Sequence, residues 1–222
     1  MTSDVSTFLE TWKSLLPSGI IVRAGALSTN VLPLTCLELA SVGEISADRE
    51  RELQNGRAYA KHALAVFGVH DVDLPVGSDR LPVWPAGFIG SITHTRRNSG
   101  GYCAAAVARS DEFLALGIDV EYAVGLDPAV WPTILTATEL SQIRSLPANE
   151  REGEAIRRWC VKEAMVKAAR SRLEPLAIET VKCEADGDRY VLTRKSGAPQ
   201  RWHARTACWH GLVSAAVAVP LR

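Results

Sequence analysis

The sequence predicts a mixed α+β fold, a pseudo-two-fold duplication of two similar halves, each a helix with an antiparallel sheet. Helix-like and strand-like patterns recur in the same order twice along the chain. GYCAAAVA at 101 and GLVSAAVA at 211 agree at five of eight positions, and RAYAKHAL at 57 resembles RWCVKEAM at 158. Such a unit buries its apolar face against its copy. The expected halves are therefore 1–110 and 111–222, with the active site in the cleft between them.

Each element has a local signal. ADRERELQNGRAYAKHALAVFG (47–68) is charged early, apolar on one face later, and ends at Gly68 as a helix ends at a C-cap glycine. A Pro/Gly-rich loop runs from Leu74 to Gly90. SITHT (91–95) and GYCAAAVARS read as strands around an RRNSGG turn, and FLALGIDVEY as a further strand. Thr136 and Glu139 stand in the Thr-x-x-Glu relation of a capping box and predict a helix start. EREGEAIRRWCVKEAMVKAAR (150–170) is the longest helical pattern. LAIETVKCEADGDRYVLTRKSG holds two β-rich runs around a D-G-D turn, and WHGLVSAAVAVPL closes the chain as a buried strand.

The bulk numbers exclude several classes of function. At 222 residues and 47% hydrophobic content the chain can close a real core. Lys+Arg and Asp+Glu both total 25, so the basic excess that non-specific nucleic-acid binding requires is missing. Any anion site must be local. Five cysteines, at 36, 103, 160, 183 and 208, form no C-x-x-C pair for zinc or redox work. A reducing cytoplasm is the expected location. Asp4, Glu10 and Lys13 interrupt the N-terminus where a signal peptide would be apolar, and no apolar run approaches the ~20 residues of a membrane helix.

Chemistry concentrates in three places. In GIDVEY (117–122), Asp119 and Glu121 are two apart on a strand, so both carboxylates leave the same face. A hard cation such as Mg²⁺ between them relieves their repulsion; a solvated strand end is the alternative. In WCVKEAMVKA (159–168), Glu163 and Lys167 are i and i+4 on one helix face, with Lys162 on the adjoining flank. That spacing fits a surface salt bridge, but the apolar surroundings fit a polar strip lining a cleft. In SITHT, His94 is followed by the basic pair Arg96–Arg97, and Thr93 adds a hydroxyl, which together fit an anion-binding edge; a satisfied structural histidine is the alternative. Arg49 and Arg57 fall at i and i+8 on the first long helix, placed either to clamp phosphate or to pair with nearby glutamates.

GIDVEY, RWCVKEAMVKA and, ahead of both in the chain, LPVWPAGFIGSITHT (81–95) resemble in order and spacing the blocks of the 4′-phosphopantetheinyl transferases, monomeric two-half type. The third block is similar to the enterobactin synthase component D branch. The resemblance covers most of 47–170. It implies Mg²⁺-dependent transfer (Mn²⁺ in its place) of the phosphopantetheine arm of coenzyme A to a serine of an apo acyl, peptidyl or aryl carrier protein, releasing adenosine 3′,5′-bisphosphate. By position it implies metal ligation by Asp119, Glu121 and Glu163, phosphate contact by Lys167, and a nucleotide pocket containing Lys162, Thr93 and His94. Arg49 and Arg57 match basic residues near the 3′-phosphate, and Arg80 lies near an often basic position. After Lys167, AARSRLEPLAIE lacks the family's glycine and phenylalanine.

The same residues suit the chemistry on general grounds, since phosphoryl transfer needs charge neutralisation and in-line positioning more than covalent help. Glu163, directly or through a metal-bound water, is the candidate base for the partner's serine. The alternatives are a metal-dependent nucleotide pyrophosphatase acting on coenzyme A, and a non-catalytic coenzyme A or carrier-protein binding module. The stretch from Ala123 to Pro147, with Trp131 and Leu135, is the expected part of a carrier-docking surface.

Overall fold

Small residues dominate two strands, GYCAAAVA and LVSAAVAV, and that lets a long helix settle closely on each. The computed structural model describes residues 2–98, 100–170, 181–186, 189–194 and 201–221. In chain order these are α1 (Thr2–Leu15), β1 (Ile21–Ala26), α2 (Cys36–Ala40), α3 (Ala47–Val66), β2 (Phe88–Arg97), β3 (Gly100–Arg109), β4 (Phe113–Tyr122), α4 (Trp131–Ile134), α5 (Ala137–Ser145), α6 (Ala148–Arg170), β5 (Val181–Asp186), β6 (Arg189–Arg194), β7 (Arg201–Trp209) and β8 (Leu212–Pro220). One antiparallel sheet has the order β1-β3-β2 and the other β4-β8-β7-β6-β5. The two alanine-rich strands, β3 and β8, are thus paired on both sides, and α3 and α6 pack on their respective sheets.

The mixed α+β, two-half expectation is met, and the duplication reaches individual side chains. Thr35 and Glu38 form a capping box at α2, and Thr136 and Glu139 form one at α5. Each glutamate is buried. Glu38 takes the Lys61 ammonium (2.8 Å) and the Leu74 N–H (3.0 Å). Glu139 takes the Lys162 ammonium (2.7 Å) and the Cys183 N–H (2.7 Å). Thr136, Glu139 and Lys162 each lie 101 positions after Thr35, Glu38 and Lys61. The same device therefore ties a short helix, a long helix and the following chain in both halves.

The core spans both sheets. Phe8 and Trp12 of α1 are fully buried in one cluster with Val22 and Ala24 of β1, Ile118 and Val120 of β4, and Trp209 and Leu212. Each large side chain so buried stabilises the fold by about 1.5–3 kcal/mol. Two further clusters lie under α6 and under α3. Close helix approach depends on two glycines. A Cβ at Gly56 of α3 would meet Ile92 at 2.8 Å, and one at Gly117 of β4 would run into the Ala164 carbonyl and Ala168 N–H of α6.

Two local expectations are corrected. Arg96 and Arg97 are not turn residues; they are the last residues of β2, opposite Gly101 and Gly100, with Asn98 at φ 55° beginning the reversal. WHGLVSAAVAVPL is not one strand. His210 and Gly211 have φ of 45° and 77°, the backbone of a tight hairpin turn between Trp209 and Leu212. Strands β5 and β6 fall on the two predicted β-rich runs; residues 187–188 of the D-G-D turn, and the stretch 171–180 that follows Lys167, lie outside the described residues.

Candidate active site

The two sheets meet where β2 runs beside β4, and hydroxyls stitch the seam. Ser91, Thr93 and Thr95 alternate along β2 and so share the face toward β4. Ser91 Oγ accepts the Ile118 N–H (3.1 Å), and Thr93 Oγ1 accepts the Val120 N–H (3.2 Å). Thr93 then donates to Asp119 Oδ1 (2.9 Å), and Thr95 donates to Glu121 Oε2 (3.3 Å). From α6, Lys167 donates to Asp119 Oδ1 (2.6 Å) and Trp159 Nε1 donates to Glu121 Oε1 (3.3 Å). Gly117 makes this possible, because α6 can lie against β4 only where there is no side chain.

Above the seam opens a cleft of about 730 Å³, which brings together Arg49, Glu52 and Arg57 of α3, Arg80 from the loop before β2, His94 of β2, Asp119 and Glu121 of β4, and Trp159, Glu163 and Lys167 of α6. A larger groove, about 980 Å³, lies elsewhere, between α5, α6, β5 and β6, and holds none of the acids or arginines expected to act. Charge composition, not size, selects the smaller one. Its α3 and β2 end is cationic and its β4 and α6 end is acidic.

Electrostatics sharpen the acidic end. Burial, with the negative charge of Asp119 beside it, pushes the Glu121 carboxyl up to about 7. Burial opposes the charge on Lys167, but Asp119 outweighs it and holds the ammonium above its usual range. At the other end, burial lowers the His94 pKa, Arg49 and Lys167 add to the effect, and Glu52 at 2.9 Å from Nε2 opposes it. Glu52 also accepts from Arg49 (3.1 Å).

The structure separates residues that the sequence grouped. Arg49, Arg57, His94, Asp119, Glu121, Glu163 and Lys167 all line the cleft. Lys162 does not. It is fully buried on the opposite flank of α6, donating to Glu139 and to the Ile134 carbonyl (2.8 Å), so it is a structural cation and not a nucleotide contact. Thr93 is also buried, and its hydroxyl serves Asp119, Val120 and Lys167 behind the cleft wall. His94, the next residue along β2, alternates to the other face and lines the cleft, as Thr93 does not. Trp131 and Leu135 are buried among α4, α5 and α6 and cannot form a docking surface; in that stretch it is Val124 and Val130 that are exposed.

Four contributors were not anticipated. Ser91 and Thr95 were signalled by the S-x-T-x-T alternation around the chosen Thr93. Trp159 lies one turn before Glu163, and Glu52 one turn after Arg49, so helical spacing from an already chosen residue finds both.

Of the cleft's carboxylates, two are placed to hold a metal. Among the described residues no three His, Cys, Asp or Glu side chains are grouped as a metal site, so the expected trio is not assembled here. The pair Asp119 and Glu121 does fit a hard cation. Asp119 Oδ2 is buried without a hydrogen-bond partner, and Glu121 sits beside a second carboxylate that raises its pKa. A divalent ion satisfies both.

Comparison with known proteins decides the family. The 4′-phosphopantetheinyl transferase N-terminal domain matches residues 38–108, and the 4′-phosphopantetheinyl transferase superfamily matches 115–219. The 4′-phosphopantetheinyl transferase PptT of Mycobacterium tuberculosis is 30% identical over 168 residues, covering 66% of this chain and 71% of that one. The chain belongs to the 4′-phosphopantetheinyl transferase superfamily. The transferase Svp of Streptomyces mobaraensis is 28% identical over 221 residues, 93% of this chain and 88% of the relative. The transferase Npt of Nocardia iowensis is 32% identical over 120 residues, and the chain spans about half of that relative, 51%. Both superfamily matches carry cleft residues: Arg49, Arg57 and His94 lie in the first and Asp119, Glu121, Glu163 and Lys167 in the second.

Proposed function

We propose that the protein transfers the 4′-phosphopantetheine arm of coenzyme A to a serine hydroxyl of an apo carrier protein, releasing adenosine 3′,5′-bisphosphate. The observation that carries this reading is the joint lining of one cleft by a cationic end (Arg49, Arg57, Arg80), with His94 beside it, and an acidic end (Asp119, Glu121, Glu163) with Lys167 between. A nucleotide diphosphate ester needs the first for its phosphates, and attack on its phosphorus needs the second. The halves 1–110 and 111–222 supply one end each, divided where the three-stranded sheet gives way to the five-stranded one.

In this mechanism the carrier serine Oγ attacks the phosphorus next to pantetheine. The new P–O bond forms as the bond to the bisphosphate breaks, and the serine proton passes to Glu163. Lys167 offsets the charge gathering on the oxygen that bridges the two phosphorus atoms and leaves with the bisphosphate. Asp119 and Glu121 would hold Mg²⁺, or Mn²⁺ in its place, whose charge, when bound, neutralises the pyrophosphate. Thr93, Thr95 and Trp159 keep the two carboxylates in register. The third sequence block supports the branch that includes enterobactin synthase component D. The exposed Val124, which shares a pocket with Glu121, and the exposed Val130 further along the same stretch are where the carrier would dock. We place the protein in the cytoplasm, where its five cysteines would stay free thiols, and take it as a monomer because the two-half chain supplies both ends of the cleft by itself.

The test is to incubate the purified protein with coenzyme A, Mg²⁺ and a set of apo acyl, peptidyl and aryl carrier proteins and to weigh the carriers. A gain of one phosphopantetheine mass is expected, and Glu163→Gln and Asp119→Ala should each abolish it. No gain on any carrier would overturn the reading. Coenzyme A cleavage in a reaction without carrier would assign a pyrophosphatase instead.

A further inference from the structure

Lys167 has two partners that make opposite demands. Its ammonium lies 2.6 Å from Asp119 Oδ1 and 3.4 Å from Thr93 Oγ1, yet a quarter of the side chain is exposed to the cleft. Asp119 is 3% exposed, and its other oxygen, Oδ2, is buried without a hydrogen-bond partner. Glu121, two residues on, is held from both sides by Thr95 and Trp159 and leans its charge on Asp119. Two carboxylates fixed side by side therefore share one positive charge, delivered by a flexible four-carbon stem from the facing helix.

We propose that Lys167 is the exchangeable counter-ion of the acidic pair, displaced from Asp119 when a divalent cation binds and thereby released to an anion in the cleft. Two like charges compete for one carboxylate, so metal and lysine weaken each other there, and the stem of Lys167 lets its charge move where a backbone group could not. Thr93 is the fixed point of the exchange: its hydroxyl keeps Asp119 Oδ1 oriented whichever cation is present. Metal entry and recruitment of Lys167 to phosphate are then one event, and by linkage an anion that draws Lys167 away tightens metal binding by the same factor. The proposal takes from the proposed function only the identity of the anion; the exchange itself involves the cation alone.

The experiment uses no coenzyme A and no carrier. Mn²⁺ is titrated into wild type, Lys167→Met and Lys167→Arg, and free Mn²⁺ is followed by electron paramagnetic resonance. The Met variant should bind Mn²⁺ about 5- to 150-fold more tightly, the range of typical coupling free energies, while the Arg variant keeps the wild-type affinity. A second measurement needs only wild type. The rate at which Lys167 is acetylated by a small amine-reactive reagent, read by mass spectrometry, should rise on adding Mg²⁺. Equal or weaker Mn²⁺ binding by a folded Met variant, no Mn²⁺ binding by any form, or acetylation indifferent to Mg²⁺ would each overturn the exchange. Failure of the carrier assay alongside tighter Mn²⁺ binding would sink the transferase function and leave the exchange standing.

Discussion

The raised Glu121 carboxyl predicts a pH dependence opposite to that of an ordinary salt-bridged acid. Burial and the neighbouring Asp119 raise its pKa from 4.5 to about 7. At about 1.36 kcal/mol per unit, that corresponds to about 3 kcal/mol. Because the folded protein holds this proton more tightly than the unfolded chain, the stabilisation is complete below about pH 4.5. It is lost as pH rises through about 7, where Glu121 must ionise beside a second negative charge. Glu121→Gln keeps a neutral group at every pH and removes the loss. Urea unfolding of both proteins, without divalent metal, between about pH 4.5 and pH 8.5 measures the difference. Wild type should lose about 3 kcal/mol relative to the Gln variant across that range, and millimolar Mg²⁺ should restore most of it at the alkaline end. A wild-type minus variant difference that is flat with pH, or that favours wild type as pH rises, would refute the account of the acidic pair.

Other substitutions separate structure from chemistry. Lys162→Met leaves Glu139 buried and unpaired, so stability should fall by about 3–5 kcal/mol in urea, while the KM for coenzyme A of the folded fraction stays within about twofold. A large rise in KM would return Lys162 to the nucleotide pocket. Gly117→Ala forces a methyl into the α6 backbone and should cost about 3 kcal/mol, the upper end of the usual overpacking range, with loss of the Lys167–Asp119 pair. An unchanged melting temperature would show that α6 does not rest there. Glu52→Gln removes the carboxylate that raises the His94 pKa, so that pKa, followed by NMR titration of the imidazole, should fall further; a rise would mean that Glu52 is not its partner.

How much of this was legible follows from what each residue depends on. The residues of β4 were read without error, because alternation and turn residues are local, and so was the capping box at Thr136. The acidic pair was legible for the same reason: two carboxylates two apart on a strand must share a face. Lys162 was misread because helical spacing says which residues lie near one another but not which flank a distant loop will cover; Ile134 and Glu139 decide that, and they come from another element. Thr93 shows the converse. Strand alternation was available in the sequence and separates Thr93 from His94, yet both were placed in one pocket. Phe8 and Trp12 of α1 gained their meaning only from Tyr102 and Trp209, which are far away in the chain.

The duplication explains why one of two equivalent grooves carries the site. Shifting the cleft-lining residues of α3 by the same 101 positions that relate Lys61 to Lys162 lands on residues that line the larger groove: Arg49 corresponds to Glu150, Leu53 to Glu154 and Arg57 to Arg158. The second half has a glutamate where the first has an arginine at the first position, and a glutamate where the first has a leucine at the second. Its Arg158 and Arg157 are both committed to Glu154, which also accepts from the Tyr190 hydroxyl. A phosphate arriving there meets carboxylates and a buried Arg158, whereas in the α3 groove Arg49, although paired with Glu52, keeps half of its side chain exposed. The converse holds for the acids. Glu163 and Lys167 correspond to His62 and Val66 of α3, which are exposed and line no part of the cleft. Each half therefore has the capping glutamate, the lysine paired with it and the close helix, although Lys61 is 29% exposed where Lys162 is fully buried. The cleft's arginines lie in the first half and its paired acids in the second, and the seam between β2 and β4 brings the two sets into one cavity.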